Sequence, residues 1–204
     1  MEKKYDVTAL GELLIDFAVN GESEQGNQLF EACPGGAPCN VLAMLNKLGR
    51  KTAFIGKVGD DQFGKLLKDT ITNTGIEAKG LVMDQDIHTT LAFVHTFPDG
   101  DREFSFYRKP GADMMLKEEE VDYDLIRQSK VFHFGTLSMT DEPVKTATKR
   151  ALSVAKEAGC IVSFDPNLRP PLWKSLDDAK AEIEYGLGKC DILKISDNEV
   201  EFLF

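Results

Sequence analysis

The sequence predicts an α/β fold, a parallel sheet covered by helices on both faces. Three observations carry that reading. Short apolar, β-rich runs alternate with runs whose apolar residues recur at helical spacing. Glycine or proline punctuates many of the passages between the two kinds of run. Polar residues collect at or just after the apolar runs: Gly59-Asp60, His133 to Thr136, Asp165-Asn167-Arg169 and Lys194-Ser196-Asn198. In parallel sheets that is where ligands bind.

Composition narrows the partners. At 204 residues the chain can bury a proper core, and 42% hydrophobic with 28% charged residues is ordinary for a soluble globular protein. A net charge of −10 argues against a nucleic-acid backbone or an anionic membrane surface as partner. No signal peptide and no apolar run of membrane-spanning length is evident. Cys33, Cys39, Cys160 and Cys190 show no CxxC spacing, so they read as reduced thiols of a cytoplasmic protein.

Taken in order, Tyr5 to Leu10 reads as a first strand ending at Gly11. Leu13 to Val19 is apolar with one acid, Asp16, inside it. A buried carboxylate without a partner is costly, so Asp16 either caps a local turn or faces a cleft, and the cleft is favoured. Asn20 to Gln28 is a polar loop or hairpin tip. Then comes Pro34-Gly35-Gly36-Ala37-Pro38-Cys39-Asn40. Two glycines leave room for a ligand or a second backbone, and Pro38 suits a first helical turn. The free N–H groups of that turn point back toward the glycines, and the Asn40 amide suits a polyol. The spacing equally allows a tight loop before a helix.

That helix runs to about Lys47 and stops at Gly49. Thr52 to Val58 is a strand, Asp60-Asp61 a capping turn, and Phe63, Leu66, Leu67 and Ile71 mark a helix closed by Gly75. Leu81 to Met83 is a short strand. Thr89 to Tyr107 alternates instead, around a turn at Pro98-Asp99-Gly100-Asp101, which predicts a β-hairpin outside the main sheet. It would form a flap or a second small sheet, joined by the segments flanking Asp16. His88 and His95 beside it do not read as metal ligands. Helices follow at Asp122–Ser129, Glu142–Ala158, Leu176–Leu187 and from Glu199, with strands at Val131–Phe134, Ile161–Phe164 and Asp191–Ile195. His133 reads as a satisfied core histidine.

Six stretches in this order resemble the PfkB (ribokinase-like) carbohydrate kinases, fructokinases above all. They are Gly11–Phe17, Gly35–Asn40, Ile55–Gly64, Phe104–Arg108, Asp165–Arg169 and Lys194–Glu201. The resemblance implies a ribokinase-like three-layer sandwich, with lid segments at approximately 12–33 and 88–108 inserted in one kinase domain. It implies transfer of the ATP γ-phosphate to a sugar hydroxyl, fructose to fructose 6-phosphate, in the presence of Mg²⁺. Asp16, Gly35, Gly36, Asn40, Arg108 and Arg169 would bind the sugar. Lys194, Asn198 and Glu201 would serve the nucleotide phosphates, with Glu201 near Mg²⁺ through water. Read from spacing alone, Asn198 and Glu201 equally suit a helix cap and its first-turn acid. The lid would also carry a homodimer contact.

One departure is large. Family members run further, and the Gly-Ala-Gly-Asp motif that carries their general base is absent here. Gly111-Ala112-Asp113 is not that motif. The catalytic aspartate is therefore expected beyond residue 204, and this chain alone should be inactive. Two other readings stand beside a fructokinase. One is a non-catalytic sugar-binding or regulatory protein. The other is a kinase for another sugar, ribose or 2-keto-3-deoxygluconate.

Overall fold

The computed structural model describes residues 3–97 and 102–204. Its main sheet has six strands, all pairs parallel. They are β1 (Tyr5–Leu10), β4 (Thr52–Gly59), β5 (Glu77–Asp84), β8 (Ser129–Gly135), β9 (Ile161–Asp165) and β10 (Ile192–Leu193). The spatial order is β10-β9-β8-β1-β4-β5. The inner strands read as continuous apolar runs because both of their faces are covered. On one face Val7, Ala9, Phe54 and Val58 pack against Leu42 of α1 (Ala37–Lys47) and Leu67 and Ile71 of α2 (Gln62–Thr74). On the other, Leu10, Phe132, Phe134 and Phe164 pack against α3 (Tyr123–Arg127), α4 (Val144–Glu157) and α5 (Leu176–Leu187).

The cover thins at one edge. Ile161 and Ile192 share a face through the β9–β10 register and are 47% and 51% exposed. A last helix, α6 (Asp197–Leu203), follows β10. No helix among the described residues is long and apolar enough to cross a membrane.

A second sheet holds β3 (Gln28–Gly35), β2 (Leu14–Glu22), β6 (Leu91–Thr96) and β7 (Arg102–Tyr107), in that order. The hairpin foreseen at 89–107 is β6–β7, and the segments around Asp16 do join it. Residues paired across strands share a face. Phe17, Phe30, Phe93 and Tyr107 therefore lie on one side of this sheet. Asp16, Ala92, Phe104 and Phe106 lie on the other.

Some boundaries differ from the sequence reading. β5 begins at Glu77 rather than Leu81, because backbone pairing with β4 continues through polar residues that carry no apolar signal. β10 shrinks to two residues, paired only to β9 at the sheet's edge. The helix expected over Asp122–Ser129 closes at Arg127, and Ser129 opens β8. The turn read at Pro98-Asp99-Gly100-Asp101 lies outside the described residues.

Candidate functional site

A polar cleft of about 150 Å³ opens between the carboxyl ends of the main strands and the second sheet. Asp16 enters it from β2, Asn40 from the first turn of α1, and Asn167 and Arg169 from the loop after β9. Phe104 and Phe106 of β7 form its apolar side. A larger cavity of about 620 Å³, lined by Phe63, Leu91, Tyr107 and Pro110, lies beside the second sheet. Its walls are mainly apolar, so its size does not make it the better candidate for a polyol.

Asp16 owes its place to strand alternation, which sends Ile15 into the core and the carboxylate to the opposite face. Partial burial pushes its carboxyl above the ordinary range, and the Arg169 guanidinium pulls it back. Arg169 lies 5.6 Å from the centre of the Phe104 ring, a cation–π contact joining the second sheet to the main-sheet loop. The loop is fixed beneath it. Asp165 accepts the Asn167 N–H at 3.2 Å, and Asn167 itself has a left-handed φ of 45°. Leu172 and Trp173 follow, and Trp173 packs on the core with its Nε1 buried and unpartnered.

Both glycines are required by space. A Cβ on Gly35 would collide with the Asp16 carboxylate. Gly36 has φ 123°, and a Cβ there would meet the carbonyl oxygen of Glu12. Gly36 caps α1 with no side chain of its own. Glu12 supplies the missing acceptor, its Oε1 taking the Ala37 N–H at 2.8 Å.

Asp16, Gly36, Asn40 and Arg169 thus meet in one cleft, with Gly35 packed directly behind Asp16. Arg108 does not join them. Its side chain is buried, donating to Asp113 through Nε (2.8 Å) and Nη2 (2.7 Å), to Thr140 (3.0 Å) and to the Leu137 carbonyl (2.8 Å). β7 ends at Tyr107, so Arg108 leaves the alternation that would have set it beside Phe104 and Phe106.

The expected nucleotide residues stand apart as well. Lys194 is exposed and pairs with Asp165 at 3.3 Å. Asn198 and Glu201 are exposed on α6. They do not cap it: Ser196 and Glu199 do, and Glu199 also accepts the Leu168 N–H at 2.7 Å. The Ser196-x-x-Glu199 spacing is itself a capping-box signature, so that signal was present in the sequence. Among the described residues no three His, Cys, Asp or Glu side chains converge as a metal site. His133 is buried in β8 with Nδ1 3.0 Å from Ser163 Oγ; burial pushes its pKa down, opposed by Asp165.

Besides Asn167, whose strand-end position was already marked in the sequence, the cleft contains residues given no role there. Glu12, Phe104 and Phe106 line it. The period-two spacing of Phe104 and Phe106 already placed them on one face.

Comparison with known proteins gives the same outline. The pfkB family carbohydrate kinase profile matches residues 4–204. Fructokinase-2 of Solanum lycopersicum is 47% identical over 97% of this chain and 61% of its own length. A crystal structure of a Xylella fastidiosa fructokinase superposes with TM-score 0.91 at 35% identity, covering 97% of this chain and 61% of that one. The Xylella fastidiosa enzyme with bound ATP gives TM-score 0.89 at 35% identity, over 97% and 60%. The chain spans about 60% of the length of these relatives.

Proposed function

This chain belongs to the pfkB family of carbohydrate kinases, and from that premise we propose that its cleft holds fructose for phosphorylation by ATP at the 6-hydroxyl. One observation carries the reading: Asp16, Asn40 and Arg169, from three separate elements, converge on a single polar cleft under the lid. A carboxylate, an amide and a guanidinium together accept and donate to adjacent hydroxyls. Phe104 and Phe106 offer a surface to the sugar's C–H groups. The lid would exclude water from the transfer.

The fructokinase name of the tomato relative supports the sugar, and the ATP in the Xylella structure supports the donor. Lys194 and Asn198 remain the candidates to face the nucleotide. Mg²⁺, when bound with ATP, would neutralise the phosphate charge. Glu201 alone, exposed on α6, does not make a site for it. The same reading sets a second copy of the chain against the lid's aromatic face, where Phe30 and Tyr107 are 42% and 66% exposed.

Isothermal calorimetry tests the sugar assignment. Fructose is expected to bind this chain at least about tenfold more tightly than ribose or 2-keto-3-deoxygluconate, a difference of about 1.4 kcal/mol. Equal affinities, or a preference for either competitor, would overturn fructose as the substrate.

A further inference from the structure

Glu12 reaches the cleft from the turn between β1 and β2. Its side chain is buried. α1 depends on it: Gly36 offers no capping side chain and Pro38 has no N–H, so the Ala37 N–H turns to Glu12 Oε1. The groups around it are mixed in sign. Asp113 and Arg108, paired to each other, face it from beyond β7, and the Cys39 thiol faces it from α1. Asp16 and Arg169 share its cleft. Burial pushes the Glu12 carboxyl up to about 7, opposed by its own backbone N–H and that of Ala37, while Asp113 raises it further and Arg108 lowers it. The Glu12 carboxyl therefore titrates far closer to neutral pH than an ordinary glutamate, in a cleft suited to a polyol.

We propose that Glu12 is a second sugar-positioning carboxyl, which holds the first turn of α1 with one oxygen, accepts a sugar hydroxyl, and releases its proton to solvent as the sugar binds. This rests on the sugar reading of the cleft. A carboxylate accepts at both oxygens, and a neutral carboxyl accepts less well and keeps a proton that must find its own partner. The sugar's O–H donors therefore select the ionised form. The balance is simple: a carboxylic acid and a free sugar become a carboxylate, a bound sugar and a proton in solution. Affinity then rises with pH through about 7 and levels off above it.

Calorimetry on this chain decides it. Fructose affinity should be about tenfold lower at pH ~6 than at pH ~8, the swing of one group with its midpoint near 7 that is ionised when the sugar is bound. At neutral pH the heat should differ between phosphate and Tris buffers by the fraction of a proton released times the difference between the two buffers' ionisation enthalpies. Glu12→Gln, which keeps an acceptor for Ala37, should flatten the pH dependence and abolish the buffer effect. Asp16→Asn should weaken binding but retain the slope. Should Glu12→Gln fail to fold, the Ala37 amide of the wild-type chain serves instead: its NMR titration midpoint should move to lower pH when fructose is added.

Fructose binding with equal affinity at both pH values and no proton release would overturn the role of Glu12 and leave the sugar assignment standing. A slope that survives in Glu12→Gln would assign the proton to another group and overturn it too. No fructose binding at any pH would remove the sugar reading, and this inference with it.

Discussion

Asp16 shows how a strand brings one side chain to a cleft. Ile15 and Phe17 on either side go to the opposite face of β2, which leaves the carboxylate alone before Arg169. Asp16→Asn keeps the shape and removes the charge. Hydrogen bonds to charged groups contribute about 1.5–3 kcal/mol, so fructose affinity should fall about tenfold or more by calorimetry. Unchanged affinity would show that Asp16 does not touch the sugar. This residue was legible as the one acid in an apolar run. Glu12 was not, because its partner Ala37 lies 25 residues away and nothing local marks the contact. Arg108 lies outside the cleft for the opposite reason. Its alternation with Phe104 and Phe106 was plain, but the strand ends one residue short and Asp113, five residues on, captures the guanidinium.

The second sheet, the proposed lid, differs on its two faces. Its aromatic side interlocks: Phe17 stacks on Phe93 at 5.0 Å, Phe30 meets Phe93 edge-on at 5.4 Å, and Phe63 of α2 meets Phe17 at 5.5 Å. Such pairs add about 0.5–1.5 kcal/mol each beyond area burial, enough to keep the four strands one unit. Its cleft side touches the main sheet's loops through Phe104 and Arg169. A sugar between those surfaces should damp the lid as a whole. Hydrogen exchange at 91–96 and 102–107 is expected to slow when fructose binds. Identical exchange with and without sugar would remove the lid from the binding event. Alternation made the β6–β7 hairpin readable, because antiparallel neighbours in sequence fix each other. The parallel β2–β6 pair spans too long a connection for a local pattern to specify, so the register of Phe17 against Phe93 emerged only in three dimensions.

Over the whole molecule, the alternation of strands and helices was enough to foresee a parallel sheet with both faces covered. The edges were less legible, since β5 and β10 each have only one neighbour and a weaker apolar pattern. The same sheet bears on catalysis. Transfer to a hydroxyl needs a placed base. Asp61 caps α2 and accepts from Thr89, Asp84 pairs with Lys57 at 3.0 Å, and Asp165 is taken by Asn167 and Lys194. Asp16 and, on the proposal above, Glu12 are committed to holding the sugar, so residues 1–204 should bind fructose without turning it over. A coupled ADP-release assay with ATP, Mg²⁺ and fructose checks this. Sugar-dependent turnover near the kinase range of about 1–100 s⁻¹ would show that one of these acids is the base.

The loop that presents Arg169 ends in Trp173, the single tryptophan of the chain. Its indole N–H is buried without a partner. All long-wavelength protein fluorescence therefore comes from one place, four residues past the guanidinium that faces the cleft. An indole in apolar surroundings emits toward the blue, and a shift of the loop changes its colour or brightness. A sugar that draws Arg169 inward should shift this emission, and a fluorimeter can look for that with no label attached; unchanged emission would show that the loop stays still.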